Sequence, residues 1–376
     1  FPGFDEPWKV FKAEELFQNV TDKNHPDETV LTIIQGKGTL PREQAGRNIH
    51  YDDASLSNYK KVEQGDFIIH LRSFEGGLEM ANEAGIDSPA YTILRCKRPH
   101  SSLFYDAYFH TDEFINHNLS KSVEGIRDGR QISYEAFKWL GIPYCEPTEQ
   151  EKISNLFAAL NERIAKQRDL VESLKKYKRG LLMHYFSDDK TQLWTQCSVS
   201  QIGKVITGST PPTNDRSNYD GDLLFCAPGD VGEQKYISST EKRVSPKGFA
   251  LGRPLPPNSV IVTCIGLIGK LGIAKTSMIT NQQINALVVS EGFDHEFIYY
   301  AFENFFPEYR SKVSMQTLPI LSKSEFEKLM IKVPDLDVQH KISSHLAAMD
   351  RRIELTQQEL NALIEHRRGI MQQLFI

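Results

Sequence analysis

Two short segments come closest to known reactive motifs, and each lacks a necessary residue. An amino-methyltransferase would hold its target base with an Asn/Asp-Pro-Pro-Tyr/Phe loop. The nearest string is Thr210-Pro211-Pro212-Thr213, which has neither the amide nor the aromatic ring. A nucleotide-driven motor would need G-x-x-x-x-G-K-[ST], and Gly266–Leu271 lacks both the loop length and the hydroxyl. Both segments are interpreted as turns.

The residues that could bind a metal are poorly spaced for that chemistry. Asp230, Glu233 and Lys235 could be combined into a metal-dependent nuclease centre, but an Asp and a Glu three residues apart seldom form one without an intervening strand. The five cysteines are scattered and include no C-x-x-C pair. We therefore expect no catalytic residue, metal or cofactor in this chain. The histidines are interpreted as surface or packing residues: His50, His70, His100, His110 and His117.

Composition limits the class of protein. The chain has 376 residues, 40% hydrophobic and 25% charged, which suggests two or three globular domains. It contains no run of about 18 apolar residues and no signal segment, so we expect a soluble cytoplasmic protein without a membrane partner. The net charge of −5 argues against a surface that binds nucleic acid everywhere. DNA binding would then need local loops and a partner that adds positive charge.

The most informative feature is an internal repeat. Residues 137–186 align without a gap on residues 326–375, and fifteen of the 50 pairs are identical, against roughly three expected at about 6% per position. A weaker repeat places Trp8 on Trp194 at an offset of 186. The chain therefore consists of a globular segment and a helix, each present twice.

Apolar residues in both helices alternate at spacings of four and three, which is typical of a coiled-coil seam. We expect Thr148 to cap the first helix, with Glu151 completing a capping box, and Asp337 to cap the second. The predicted seam consists of Ile153, Phe157, Leu160, Ile164, Gln167, Val171, Leu174 and Leu181 in the first helix, and Ile342, Leu346, Met349, Ile353, Thr356, Leu360, Leu363 and Ile370 in the second.

Two cations at seam positions determine how the helices pair. A parallel pair would place Lys178 against Arg367, at a Coulomb cost of several kcal/mol at an effective dielectric constant near 20. Antiparallel pairing separates them and sets Gln167 against Thr356 at the centre. Each cation would then face an apolar neighbour and extend towards water. We predict an antiparallel coiled coil with a pseudo-twofold axis near the Gln167/Thr356 layer.

An ordinary amphipathic hairpin within one core would show the same spacing. Roughly 150 residues separate the two helices, however, which is far more than a hairpin loop. The predicted fold class is therefore α+β: two mixed α/β domains separated by two long helices in an internal repeat. The predicted boundaries are 1–146 for the first domain, 147–187 for the central spacer helix, 188–336 for the second domain and 337–376 for the distal spacer helix.

The order of several weak motifs resembles the specificity subunits of Type I restriction-modification systems. The resemblance covers essentially the whole chain. Val338-Gln339 replaces the usual Glu-Gln, and Lys332-Val333-Pro334 is less proline-rich than usual; both departures concern a helix start. The motifs are Phe1-Pro2-Gly3-Phe4 with Trp8, Gly76-Gly77, Ser88-Pro89-Ala90-Tyr91, Ile142-Pro143, Glu149–Ile153, Gly208–Pro211, Thr280–Ile284, Ile331–Pro334, Gln339–Ile342 and Arg367–Phe375.

The resemblance implies a non-catalytic DNA-binding subunit. Each globular domain would be a target recognition domain that reads one half of a bipartite site in double-stranded DNA. The helices would set the spacing and bind two methyltransferase subunits, which carry S-adenosylmethionine, and restriction subunits would complete the complex. Two alternatives stay open: a coiled-coil adaptor that binds only proteins, and a DNA-cleaving enzyme with a dimerisation coil.

Candidate DNA contacts are polar side chains that can pair with base edges or phosphates and that lie beside glycine-containing loops. Tyr91 could equally belong to the core, and Gly76, Gly77 and Gly208 could serve only turns. The candidates are Gln35, Lys37, Arg72, Ser73 and Tyr91 in the first domain and Ser209, Thr210, Asn214, Lys270 and Gln282 in the second.

Overall fold

Short runs of β-branched and aromatic residues in the globular segments form strands, while the duplicated apolar spacing forms two long helices. The computed structural model describes residues 2–45, 53–125, 130–232, 234–313 and 319–375. The chain divides into two units: unit 1 is Phe1–Arg168 with Gln358–Ile376, and unit 2 is Asp169–Gln357. Each long helix therefore contributes one part to each unit.

Unit 1 contains a central antiparallel sheet of order β2-β9-β6-β7 and the strand pairs β1-β12, β3-β4, β5-β8 and β10-β11. Its elements are β1 (Lys9–Lys12), α1 (Ala13–Leu16), β2 (Phe17–Val20), β3 (Leu31–Ile34), β4 (Gly38–Pro41), β5 (Lys60–Val62), β6 (Phe67–Ile69), α2 (Ser73–Gly76), β7 (Glu79–Met80), β8 (Gly85–Asp87), β9 (Thr92–Cys96), α3 (Ser102–Phe109), β10 (Val123–Glu124), β11 (Gln131–Ile132), α4 (Tyr134–Phe137), β12 (Gly141–Tyr144) and the start of α5 (Pro147–Tyr185).

Unit 2 contains sheets of order β14-β21-β18-β19-β16 and β17-β15-β20, and the pair β13-β22. Its elements are α6 (Asp188–Thr191), β13 (Thr195–Ser198), α7 (Val199–Ile202), β14 (Gly203–Thr207), β15 (Tyr219–Cys226), β16 (Tyr236–Ile237), β17 (Lys242–Val244), α8 (Pro246–Leu251), β18 (Val260–Thr263), β19 (Leu271–Ala274), β20 (Met278–Thr280), β21 (Ile284–Val289), α9 (His295–Val313), α10 (Lys323–Lys328), β22 (Met330–Val333) and the start of α11 (Leu336–Phe375).

The central sheets of the two units correspond strand by strand. Phe67 pairs with Leu94 in unit 1, and Val260 pairs with Leu287 in unit 2, so both partners are shifted by the same 193 residues. Both sets of strands run antiparallel, in the orders β2-β9-β6-β7 and β14-β21-β18-β19. At this offset identical residues occupy equivalent places: Ile68/Ile261, Gly76/Gly269, Leu78/Leu271, Ala81/Ala274, Ile86/Ile279, Leu94/Leu287, Phe104/Phe297 and Phe109/Phe302.

The units differ in what is inserted between the first strand and the third strand of this sheet. Residues 21–66 of unit 1 carry the β3-β4 hairpin and β5, whereas residues 208–259 of unit 2 carry β15, β16, β17 and α8. The repeated sheet is a common scaffold, and the insertions individualise each unit. The predicted α+β class with an internal repeat is confirmed.

A buried glutamine at the start of each long helix binds that helix to its sheet unit. Gln150 donates from Nε2 to the Cys145 carbonyl at 2.7 Å and accepts from the Ser101 amide at 3.0 Å. Gln339, 189 residues later, donates to the Pro334 carbonyl and accepts from the Asp294 amide, both at 2.9 Å. Gln150 is 0% exposed and Gln339 1%. One amide therefore joins three segments in each unit.

The predicted antiparallel pairing of the helices is confirmed within each unit. In unit 1, Ile153 and Phe157 near the start of α5 belong to the same core as Met371 and Phe375 at the end of α11. The Phe157 and Phe375 rings stack with centroids 6.4 Å apart. In unit 2, Leu182 near the end of α5 packs in the core that contains residues 342 and 346 near the start of α11.

The two seam cations have different partners, and neither matches the prediction of an apolar neighbour. Lys178 Nζ lies 2.8 Å from Glu303 Oε1 and 2.7 Å from Asp350 Oδ1. Burial disfavours its charge, but these two carboxylates outweigh burial and raise the pKa of Lys178. Arg367 belongs to unit 1, where burial lowers its pKa and the charge of Asp106 opposes that shift. The prediction was wrong because the globular units supply carboxylates that the helix pattern does not reveal.

Seam burial follows the predicted positions in the middle of each helix and shifts near its end. Leu181 and Ile370 keep part of their surface exposed, while the next residues, Leu182 and Met371, are buried at 6% and 5%. A straight α-helix drifts about 20° per heptad from a 3.5-residue repeat, so the buried face moves by about one position over four heptads. Of the other seam residues, those that are buried are Ile153, Phe157, Ile164, Val171, Leu174, Ile342, Leu346, Met349, Thr356 and Leu360, and those half-buried are Leu160, Gln167, Ile353 and Leu363.

The polar residues expected at the centre make local hydrogen bonds. Gln167 Nε2 donates to Glu359 Oε2 at 2.9 Å in unit 1. The Thr356 hydroxyl donates to the Arg352 carbonyl at 2.7 Å in unit 2. The Gln167/Thr356 layer itself stays a prediction.

Both predicted helix caps are wrong by one or two residues. Helix α5 begins at Pro147, whose fixed φ suits the first helical position, so Thr148 lies inside the first turn. In α11 the cap is Asp335, because its Oδ1 accepts from the Val338 amide at 3.0 Å, and Asp337 lies in the first turn. Among the described residues, no helix combines the length and hydropathy needed to cross a bilayer.

Replacing either buried glutamine should destabilise its own unit. Gln150→Leu leaves the Cys145 carbonyl and the Ser101 amide without their partner, and a buried unsatisfied group costs about 1–3 kcal/mol. We expect a loss of about 3 kcal/mol for Gln150→Leu and a similar loss for Gln339→Leu, measured by urea unfolding. The exposed Gln64→Leu is the control. Equal stability of Gln150→Leu and the control would contradict the joining role.

Candidate nucleic-acid interface

In unit 1, three segments with exposed polar side chains lie close together: the β3-β4 turn, the loop from β6 to α2, and the loop from β8 to β9. Gln35 and Lys37 are exposed on the turn, and Arg72 is exposed on the second loop. The Gln35 amide lies against Gly76, so close that a Cβ on Gly76 would come within 2.1 Å of Gln35 Nε2. The structure therefore brings the predicted side chains Gln35 and Lys37 next to the α2 loop.

Ser73 and Tyr91 serve the packing of these loops. Ser73 is 0% exposed, and its hydroxyl accepts from the His70 amide at 2.9 Å. The structure therefore does not support the predicted DNA contact of Ser73, because the side chain is enclosed by its own turn. The Tyr91 ring packs on the small apolar cluster that includes Ile68, and part of it stays exposed.

In unit 2, the loop after β14 and the loop before β21 are held together at Gly208. The Gly208 amide donates to the Ile284 carbonyl at 3.0 Å, and the Ser209 amide donates to the Thr280 carbonyl at 2.8 Å. A Cβ on Gly208 would lie 2.1 Å from the Asn281 carbonyl oxygen. Gly208 is therefore required for the close approach of two backbones, which is more than a turn requires.

This approach presents a polar pair at the surface. The Thr210 hydroxyl donates to Gln282 Oε1 at 2.7 Å, and both side chains are exposed. Ser209 beside them is half-buried. The Gln282 amide nitrogen can still donate to a base edge, while its oxygen already accepts from Thr210.

The remaining two predicted residues of unit 2 lie on other loops. Asn214 is exposed on the segment between β14 and β15. Lys270 is half-buried, its amide donates to the Thr263 hydroxyl at 3.0 Å, and its chain runs beside Gly232.

Sequence reasoning missed Arg253. This residue is exposed, and its Nη1 donates to the Thr207 carbonyl at 2.9 Å, one residue before Gly208. It is separated from Thr207 by 46 residues, so only the fold brings it to the polar pair. The available signal was an arginine between a glycine and a proline, Gly252 and Pro254, which is a weak marker of an exposed loop.

The acidic residues near these loops have structural roles. Asp230 accepts from the Ala227 amide and the Glu241 amide, both at 2.8 Å, which shapes the loop after β15. Glu233 lies outside the described residues, as does His50. No group of three or more potential metal ligands occurs within the described ranges. The histidine interpretation needs one correction: His110 is an ion-pair partner of the buried Glu79, at 3.4 Å.

Comparisons with known proteins agree on one family. Residues 192–366 match the family model of the Type I restriction modification DNA specificity domain. The chain is 30% identical over 178 residues to the Type I restriction enzyme MjaIX specificity subunit of Methanocaldococcus jannaschii, covering 46% of this chain and 41% of that protein. It is 29% identical over 108 residues to the HindI specificity subunit of Haemophilus influenzae, covering 28% and 24% of the two chains. The matches thus span less than half of these relatives.

Solved structures show the same fold over nearly the whole chain at low identity. A chain from work on complex assembly and conformational transition of the type I R-M system has a TM-score of 0.63 at 16% identity, covering 99% of both chains. The S subunit of a Type I restriction-modification system from M. genitalium has a TM-score of 0.60 at 14% identity, covering 98% of this chain and 96% of that one. The HsdS subunit from Thermoanaerobacter tengcongensis has a TM-score of 0.52 at 16% identity, covering 100% and 98%.

A methyl group at Gly208 should separate the two loops of unit 2. Gly208→Ala places a Cβ against backbone oxygens of Thr280 and Asn281, which cannot move as a side-chain end can. We expect a loss of about 2 kcal/mol in the free energy of unfolding and faster amide exchange at Ser209. Gly229→Ala, with no atom within 4 Å of the new Cβ, is the control. Unchanged exchange at Ser209 would refute the close approach.

Asp87, at the start of the loop that leads to Tyr91, should make stability depend on pH. Burial raises the pKa of its carboxyl to about 7, against the opposing effects of the Ser88 amide and Arg42. A raised pKa means that the folded state holds the proton more tightly, so its contribution to stability is lost as pH rises from about 4 to 7. Relative to Asp87→Asn, the wild type should lose stability over this range and none above pH 8. Parallel unfolding curves for both proteins from pH 4 to 8 would contradict this assignment.

Proposed function

We propose that this chain, whose residues 192–366 belong to the family of Type I restriction modification DNA specificity domains, is the DNA-reading subunit of a Type I restriction-modification complex. Each unit reads one half of a bipartite site. The observation that carries the proposal is that two units share one central sheet, at a constant offset of 193 residues, and differ in their inserted segments.

A repeated scaffold with different loops is suited to two ligands of one kind. The insertions at residues 21–66 and 208–259 bear exposed Gln35, Lys37 and Arg253. Glutamine and arginine can form paired hydrogen bonds with base edges in the major groove, and lysine can bind phosphate. The two insertions share no common arrangement of elements, so the two half-sites should differ in sequence.

The acidic balance supports a shared mode of binding. The chain has 49 Asp and Glu residues against 44 Lys and Arg residues, and phosphate contacts dominate DNA affinity. Partner subunits therefore supply much of the positive surface. These partners are two methyltransferase subunits, which carry S-adenosylmethionine and the methylation site, and restriction subunits in the full cytoplasmic complex. This chain contributes specificity and no catalytic group.

The coiled-coil adaptor is the second candidate, because paired helices also suit a protein that binds only other proteins. Footprinting of the complex with methyltransferase subunits separates the two functions. An adaptor gives no sequence-selective protection, whereas the proposed subunit protects both halves of a split motif.

The division of labour between the units should be visible in the methylated motif. We expect the complex to methylate a split motif, and replacement of residues 1–140 by the corresponding segment of another specificity subunit should change only one half of it. The measurement is sequencing of modified bases in DNA treated with each complex. A contiguous motif in the wild type would overturn the proposed function, and a change in both halves would overturn independent reading.

A further inference from the structure

The turn between β3 and β4 is held from inside unit 1 by a carboxylate. Glu79 on β7 is 0% exposed. Its Oε1 accepts from the Gly36 amide at 2.7 Å, and its Oε2 accepts from the Gly38 amide at 2.9 Å. Both glycines have positive φ, 73° and 78°, so the backbone of the turn can direct both amides towards one carboxylate.

A second side chain holds the turn from its other side. Asn82 Nδ2 donates to the Lys37 carbonyl and to the Thr39 carbonyl, both at 2.8 Å. The turn also closes on itself, because the Lys37 amide donates to the Ile34 carbonyl at 2.9 Å. The backbone of the turn is therefore held at several points, while the side chains of Gln35 and Lys37 stay exposed.

The carboxylate is retained at an energetic cost. Burial disfavours the charge of Glu79, but His110, together with the Gly36 and Gly38 amides, outweighs burial and lowers the pKa of Glu79. Burial likewise disfavours the charge of His110, yet Glu79 and Asp106 raise its pKa to about 9. A buried ion pair seldom improves stability over apolar packing, so its best-attested use is to select one conformation.

The equivalent place in unit 2 lacks this arrangement. At the offset of 193 residues, Glu79 corresponds to Gly272, and the loop after β15 is shaped by Asp230 from within its own segment. The buried carboxylate beneath a turn is thus specific to the insertion of unit 1, as expected for a device that serves one half-site.

We propose that Glu79 is a positioning residue for DNA reading: it fixes the Gln35–Gly38 turn so that Gln35 meets a base edge and Lys37 meets the backbone of the N-terminal half-site. This proposal rests on the proposed function, because it assigns the reading of one half-site to one turn. Gly76 is part of the arrangement, since the Gln35 amide lies directly against it.

The test measures base discrimination in the complex with methyltransferase subunits. Methylation rates are compared for the cognate site and for single-base substitutions in each half. We expect Gln35→Ala and Glu79→Gln each to lower discrimination in the N-terminal half-site by about tenfold, and to leave the other half-site unchanged. A variant that only unfolds part of the protein lowers all rates together and does not change their ratios.

Further variants keep the test decisive if Glu79→Gln folds poorly. Asn82→Ala removes the second hold on the turn, and Gly76→Ala displaces the Gln35 amide, whose flexible end can move. Both should lower discrimination in the same half-site. Glu63→Gln, an exposed carboxylate paired with Arg95 in the same unit, is the matched control and should behave as wild type.

Two outcomes would overturn the positioning role. One is unchanged discrimination in Gln35→Ala, which would show that the turn does not read DNA. The other is a loss with Gln35→Ala but none with folded Glu79→Gln and Asn82→Ala. If the wild-type complex does not recognise a split motif at all, the proposed function fails first, and that result is separate from either outcome.

Discussion

The structure depends on one hydrogen-bonded amide that occurs twice. Gln150 and Gln339 each accept from the amide at the start of a domain helix and donate to the carbonyl at the end of a strand. Both groups are backbone atoms that would otherwise be buried without a partner, which a folded chain seldom tolerates. Each glutamine therefore fixes where its long helix begins relative to the sheet in the same unit. Any loop on that sheet inherits its position from this contact.

Ser154 and Ser343 extend the same arrangement by one helical turn. Ser154 lies 2.6 Å from the Ser101 hydroxyl, and Ser343 donates to Asp294. Beyond them the repeat ends: unit 2 places Lys178 between Glu303 and Asp350, whereas unit 1 places Arg367 near Asp106. The apolar seam would permit several alignments of two near-identical helices, and unequal ionic contacts with each globular unit favour only one of them.

Sequence reasoning recovered what local periodicity determines and missed what the fold brings together. The duplicated helices and their antiparallel pairing followed from spacing and from the repulsion of Lys178 and Arg367. The identity of Gln150 and Gln339 was visible in the alignment, but their role was not, because each partner lies 49 and 45 residues away. The gapless correspondence of the sheets was hidden by low identity and became clear from strand register. Ser73 was misjudged because a serine beside glycines can cap a turn as readily as it can bind a phosphate.

The candidate interface shows why an acidic protein can still be selective for DNA. Selectivity requires a few donors held at fixed positions, and affinity requires many cations, so the two demands need not fall on the same chain. Here the fixed positions come from rigid internal contacts: Gly208 brings two backbones together beneath Thr210 and Gln282, and Glu79 holds the turn that bears Gln35. A base-reading side chain is only as selective as the backbone beneath it is rigid, because a mobile donor can satisfy more than one base. The buried contacts of each sheet therefore belong to the recognition surface as much as the exposed residues do.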